Sequence, residues 1–209
     1  MDMPSKLRVP LIARKAVAVI RFRSGPFDQK WGHLRSEHVR HGKLFLTTFP
    51  KTVLPGKRRT QYECDLEHAK WESRIAVSLS LKPIGTGIQP GKHSGEILGQ
   101  AKISFQKKSI TIEAIQGTSG KQDVLDRFRA LHKQPWANFL VRQVERHAVR
   151  CGIHEIRIVL PTSLLYYHHP VITTKNKKEI QAQMDVLYEK VATAEGYVLE
   201  KGIYKKKLP

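Results

Sequence analysis

Residues 109–160 constrain the fold of this chain more than any other stretch. Ile110, Ile112 and Ala114 alternate with Thr111, Glu113 and Ile115, the period-2 pattern of an extended segment. Gln116-Gly117 and Thr118-Ser119-Gly120 then form a turn cluster. A polar, helix-competent stretch follows, and Pro135-Trp136 opens a second periodic run. Its apolar positions, Trp136, Leu140, Val144, Ala148 and Cys151, recur at steps of three and four on one helical face. Arg142, Glu145, Arg146 and Arg150 are left largely on the other side. Pro135 suits the first helical position, where its missing N–H removes no bond. Gly152 suits the C-terminal stop. Ile153, Ile156, Ile158 and Leu160 then read as a strand closed by Pro161. Strand, helix, strand implies two parallel strands joined by a right-handed crossover.

What precedes this unit reads as antiparallel. Ile75, Val77, Leu79 and Leu81 alternate with Ala76, Ser78 and Ser80, which predicts a strand over 71–81. A second is expected over 96–106, turning at Lys107-Lys108 into the strand at 110–116. After Pro161 the pattern predicts an irregular linker, then a helix over 180–194 with Ile180, Met184, Leu187, Val191 and Ala194 on its face, ended by Gly196. Residues 197–199 and 202–204 read as short closing strands, and Lys205-Lys206-Lys207 as a solvated basic tail. The fold class is therefore α+β, a mixed sheet in which an antiparallel meander leads into a parallel βαβ unit.

Charge adds a second constraint. Among 209 residues, 37 Lys and Arg face 18 Asp and Glu, a formal charge of +19. Such a surface attracts polyanions and says nothing about fold. Residues 1–60 hold fourteen basic residues against three acids, and 34–49 is ambiguous between helix and strand. The stretch 50–60, with two prolines and Lys57-Arg58-Arg59, reads as an exposed basic loop able to contact nucleic acid. This divides the chain into a basic N-terminal extension, 1–62, partly packed on the core, and a domain at 63–209. No apolar run reaches the length of a membrane span. Two cysteines make no disulfide framework, and the expectation is a cytoplasmic protein. His38/His41 and Cys64/His68 imitate a zinc ligand set in spacing, but their basic surroundings oppose a cation, and no metal is expected.

The order of elements, with WANFLVRQVERHAVRCG, IHEIRIVLP and VLYEKVATAEGY, resembles the GNAT acetyltransferase superfamily over residues 72–204. Leu187-Tyr188-Glu189-Lys190 matches a family motif, and Gly196-Tyr197 matches in type about one helical turn late. The resemblance implies an acyl-CoA cofactor, acetyl-CoA or another, held where a strand splays from its neighbour, and an amine-bearing substrate. It implies Glu113 as general base and Tyr188 as the acid that protonates the departing thiolate. Backbone amides from Ile115 to Gly117 would polarise the thioester carbonyl. The family's pyrophosphate loop, Q/R-x-x-G-x-G/A, corresponds to His132-Lys133-Gln134-Pro135-Trp136-Ala137, with Pro135 in place of the middle glycine. Arg129, His132 and Lys133 could bind phosphate through side chains instead. The string IEAIQG followed by a helix and a basic-Pro-helix segment is also similar to the VirK-like bacterial family. The alternative to an N-acyltransferase is a non-enzymatic scaffold of the same shape that binds RNA or DNA through its basic surface.

Overall fold

The structure is a computed structural model, and it describes residues 36–56, 61–68, 77–84, 97–118, 120–164, 167 and 177–209. Lys57, Arg58 and Arg59, and residues 71–76 of the strand expected over 71–81, lie outside the described residues. Ser36–Pro209 form one compact unit. Its elements are α1 (Ser36–Thr48), β1 (Thr52–Pro55), β2 (Gln61–His68), β3 (Val77–Ile84), β4 (Gly99–Phe105) and β5 (Ser109–Gly117). Then follow α2 (Gln122–His132), α3 (Trp136–Arg150), β6 (Glu155–Val159), a 3-10 turn at Pro161–Ser163, α4 (Lys177–Ala194), β7 (Val198–Glu200) and β8 (Ile203–Lys207). The protein is α+β, with a single mixed sheet among the described residues, in the order β1-β2-β3-β4-β5-β6-β8-β7. Strands β1 to β5 pair antiparallel in succession, and among the described residues only β5 and β6 are parallel.

The pairing register explains how the sheet packs. Leu66, Leu79, Ala101, Ile103, Ile112 and Ile158 fall on one face because paired residues share a face. That face meets the helices. Phe45 of α1 stacks on Phe105 of β4 with ring centroids 5.3 Å apart, and Phe128 of α2 meets Tyr62 of β2 edge-on at 5.1 Å. The opposite face carries Ser78, Ser80, Lys102 and Thr111, all buried as well.

Local signals set the ends of α3 and α4. Pro135 is the N-cap of α3 with extended backbone, so the helix starts one residue later than the proline suggested. Gly152 and Gly196 take φ of 68° and 74°, the left-handed conformation that costs glycine nothing. After each, an amide bonds five residues back, Ile153 N–H to Ala148 O at 3.0 Å and Tyr197 N–H to Ala192 O at 2.8 Å. These are paired C-terminal stops of Schellman type.

Two expectations need correction. Residues 52–55, expected within an exposed basic loop, form edge strand β1, because Val53 and Leu54 find partners in Glu63 and Tyr62. A four-residue run is too short for period-2 reading to register. Lys205–Lys207, expected as a solvated tail, lie in β8, paired with Glu155, Ile156 and Arg157 of β6. There the ladder overrides composition: Lys206 pairs with Glu145 at 2.8 Å and sits 5.5 Å above the Tyr197 ring. The ambiguous stretch 34–49 is helical from Ser36, with Gly42 set closely against Phe105.

Candidate functional site: a notch between β5 and β6

Strands β5 and β6 run together only from Ser109/Glu155 to Ile112/Ile158. At the next residue β5 bulges. Ile103 of β4 pairs with Ile112 and Lys102 with Ala114, so Glu113 is the extra residue. Beyond it β5 continues beside β4, while β6 no longer pairs with it. The result is a notch edged by Ile115 and Gly117. Thr118 N–H donates to Leu98 O at 2.9 Å, making Leu98/Thr118 a hydrogen-bonded pair. By antiparallel alternation, Gly99/Gly117 and Ala101/Ile115 are non-hydrogen-bonded pairs. The amides of Ile115 and Gly117 therefore point away from β4 and into the notch.

Tyr188, fully buried on α4, reaches this edge. Its hydroxyl oxygen accepts the Ile115 N–H at 2.7 Å. Glu113 is half-buried and accepts a hydrogen bond from the Ser104 hydroxyl at 2.5 Å. Trp136, first residue of α3, lies over Gly99 and Gly117. A Cβ on Gly99 would overlap its indole, and one on Gly117 would sit 3.1 Å from it. Those two glycines let the ring approach the strands directly.

Of the residues expected to hold pyrophosphate, Arg129 and Lys133 are exposed, and no partner is assigned to either among the described residues. His132 is committed elsewhere: its ring packs against Phe128 and Tyr62 and is hydrogen-bonded to the Pro55 carbonyl. Burial holds its pKa below the usual histidine value. The Gln134 side chain accepts from Arg142 at 3.2 Å, and Ala137 is buried. The structure thus brings Ile115, Gly117, Tyr188 and Trp136 to one notch, leaves Glu113 bonded to Ser104 of β4, and turns His132 and Gln134 away from ligand duty. The Ile115 amide is taken by Tyr188, and the Trp136 indole lies on Gly117. Pro135 has no amide to offer a phosphate, which leaves the exposed side chains of Arg129 and Lys133 as the cations near the start of α3.

Sequence reasoning missed a buried network that braces the start of α3. Glu195, just after α4, accepts from Asn138 Nδ2 at 2.7 Å and from Arg142 Nε at 2.8 Å. Asn138 and Arg142 stand one turn apart, a spacing that marks a shared face but not its partner.

No family model matches the chain, and no curated protein matches it. Among the described residues no helix is long and apolar enough to cross a membrane.

Proposed function

We propose that the notch is an acyl-thioester site and that the protein is an acyl-CoA-dependent N-acyltransferase of GNAT-like fold. The observation that supports this reading is Tyr188 Oη at the Ile115 amide, at the point where β5 loses its parallel neighbour. A thioester carbonyl entering the notch would take the edge amides, and the displaced phenol would stand ready to protonate the leaving thiolate. Glu113, on the same strand, would leave Ser104 to accept the amine's proton. Arg129 and Lys133 would hold the phosphates as point charges.

Calorimetric titration with acetyl-CoA at about 0.3 M salt, where surface charge is screened, tests the reading. One-to-one binding weakened by Lys133→Ala, and turnover with an amine panel lost in Tyr188→Phe, would sustain it. Absence of heat and of thermal protection would end it.

A second reading rests on Trp136. The indole lies on Gly117, one of the two notch amides, which favours a filled notch and a non-enzymatic scaffold. The charge of +19 then serves nucleic-acid binding. Filter binding of RNA and DNA across salt concentrations distinguishes it. Affinity that falls steeply with salt supports this reading, and affinity indifferent to salt removes it.

A further inference from the structure

The other end of α3 carries a second feature, separate from the notch. Trp136 and His147 are eleven residues apart, about 16 Å along the helix axis. Here α3 faces the connection from α1 to β1, and a cleft of about 170 Å³ opens between them. Its walls include Gln143, Arg146, His147 and Arg150 of α3, with Phe49 and Thr52 opposite.

Arg146 and Arg150 are exposed, one helical turn apart, and neither is paired with a carboxylate among the described residues. Two like charges at that spacing repel each other. His147 is 4% exposed. Its Nε2 lies 2.9 Å from the Phe45 carbonyl and 3.2 Å from Thr48 Oγ1, so Nε2 carries the proton. Nδ1 is buried and has no hydrogen-bond partner among the described residues. The cleft thus joins two uncompensated guanidinium groups to a buried imidazole with one unsatisfied nitrogen. An anion entering the cleft would meet both guanidinium groups at once.

We propose that this cleft binds a phosphate group, as inorganic phosphate or as a phosphomonoester, between the forks of Arg146 and Arg150. A guanidinium matches phosphate oxygens in pairs, and Gln143 can donate a further bond. The helix ends here with its carbonyls, which favour the arginines and oppose the anion, so affinity rests on the side chains rather than on the backbone. The charged or titratable groups around the His147 ring are Arg146, Arg150 and the Cys151 thiol on α3, whose Sγ lies 3.5 Å from Nε2. Phe45, Thr48 and Phe49 complete its surroundings from the α1 side. Burial and the Arg150 charge both hold the imidazole below its ordinary pKa. An anion in the cleft supplies the opposite charge, so phosphate binding raises that pKa.

The experiment follows the His147 ring by two-dimensional NMR during titration with inorganic phosphate, with chloride at equal ionic strength as control. Saturable one-to-one shifts, with a higher His147 pKa in the bound state, are expected. Arg146→Gln combined with Arg150→Gln should weaken binding about tenfold or more, since each loses a charged hydrogen bond, and leave the melting temperature without phosphate unchanged. Non-saturating shifts, or shifts equal in the double variant and under chloride, would overturn the site and leave only diffuse charge. Two competitors separate the sources of the group. A 5′-phosphorylated oligoribonucleotide that displaces phosphate better than its 5′-hydroxyl twin assigns the cleft to nucleic-acid ends. Displacement by ribose 5-phosphate alone assigns it to small phosphomonoesters.

Discussion

The hydroxyl of Tyr188 accepts the amide proton of Ile115 at 2.7 Å, across 73 residues of sequence and at the one edge of β5 that β6 leaves uncovered. A strand losing its neighbour inside a protein must find another acceptor for each exposed amide. Here a helix supplies it. Tyr188→Phe keeps the ring and removes the acceptor, leaving a buried N–H unpaired at a cost of about 1–3 kcal/mol. Urea denaturation should read that loss, and hydrogen exchange at Ile115 should quicken. A change of under about 0.5 kcal/mol would mean the amide finds another acceptor and that Tyr188 is not what closes this edge.

Glu195 ties the start of α3 to the end of α4 through Asn138 and Arg142. The carboxylate is buried while the arginine side chain is 42% exposed, so solvent screens part of the attraction. Glu195→Ala should cost about 1.5–3 kcal/mol, the range for a hydrogen bond to a charged group. Glu195→Gln should cost less, because one amide oxygen can still accept from Asn138. Equal losses in the two variants would assign the effect to packing rather than to hydrogen bonding.

The contact of Trp136 with Gly99 is tested by adding one carbon. Gly99→Ala forces the indole off the strand, and overpacking of this kind costs about 1–3 kcal/mol. Under the filled-notch reading the variant changes stability and Trp fluorescence only. Under the acyl-thioester reading it also changes acetyl-CoA affinity, because the ring that moves lies on Gly117. Unchanged stability and fluorescence would show that the ring does not rest there.

Elements with a long period were legible in the sequence, and contacts between distant segments were not. Helix α3 was readable because Trp136, Leu140, Val144 and Ala148 repeat over about three turns, with a proline before them and a glycine after. Strand β1 was not, since four residues beside Pro50 and Pro55 carry too few alternations to count. The notch was legible only in outline. Glu113 and Tyr188 can be named from pattern and resemblance, but the bulge that ends the parallel ladder depends on how β4 pairs, and pairing leaves no mark within one strand. Ser78 and Ser80 mislead in the other direction. They are the polar set of an alternating strand, yet both are 1% exposed.

The two cysteines should differ in reactivity. Cys64 lies fully buried in β2, and burial beside Asp65 and Glu63 pushes its thiol far above the ordinary range. Cys151, at the end of α3, is half-buried, and burial raises its pKa with a partial offset from Thr48. Maleimide mapped by mass spectrometry in native buffer should label Cys151 first and Cys64 only at the rate of unfolding. Simultaneous labelling of both would mean that β2 opens locally.

Protonation of His132 and His147 should limit stability on the acid side. Each ring has one nitrogen bonded to a backbone carbonyl, Pro55 for His132 and Phe45 for His147. Each has a second nitrogen that is buried and unpartnered among the described residues, Nε2 of His132 and Nδ1 of His147. Adding a proton there places a charge and an unmatched donor out of reach of water, so both pKa values fall below the ordinary 6.5. The unfolded chain then binds more protons than the folded one in the window below pH 6.5, and stability there rises with pH. The contribution is complete above about pH 6.5 and is lost as pH falls toward the folded-state values. Melting temperatures from pH 7.5 down to 5 should therefore decline, and His132→Gln or His147→Gln should flatten the slope even where it lowers the plateau. Phosphate should restore stability in that window for the wild type and for His132→Gln, since an anion beside His147 favours its charged form. A slope unaltered by either substitution would take the acid sensitivity away from these two rings.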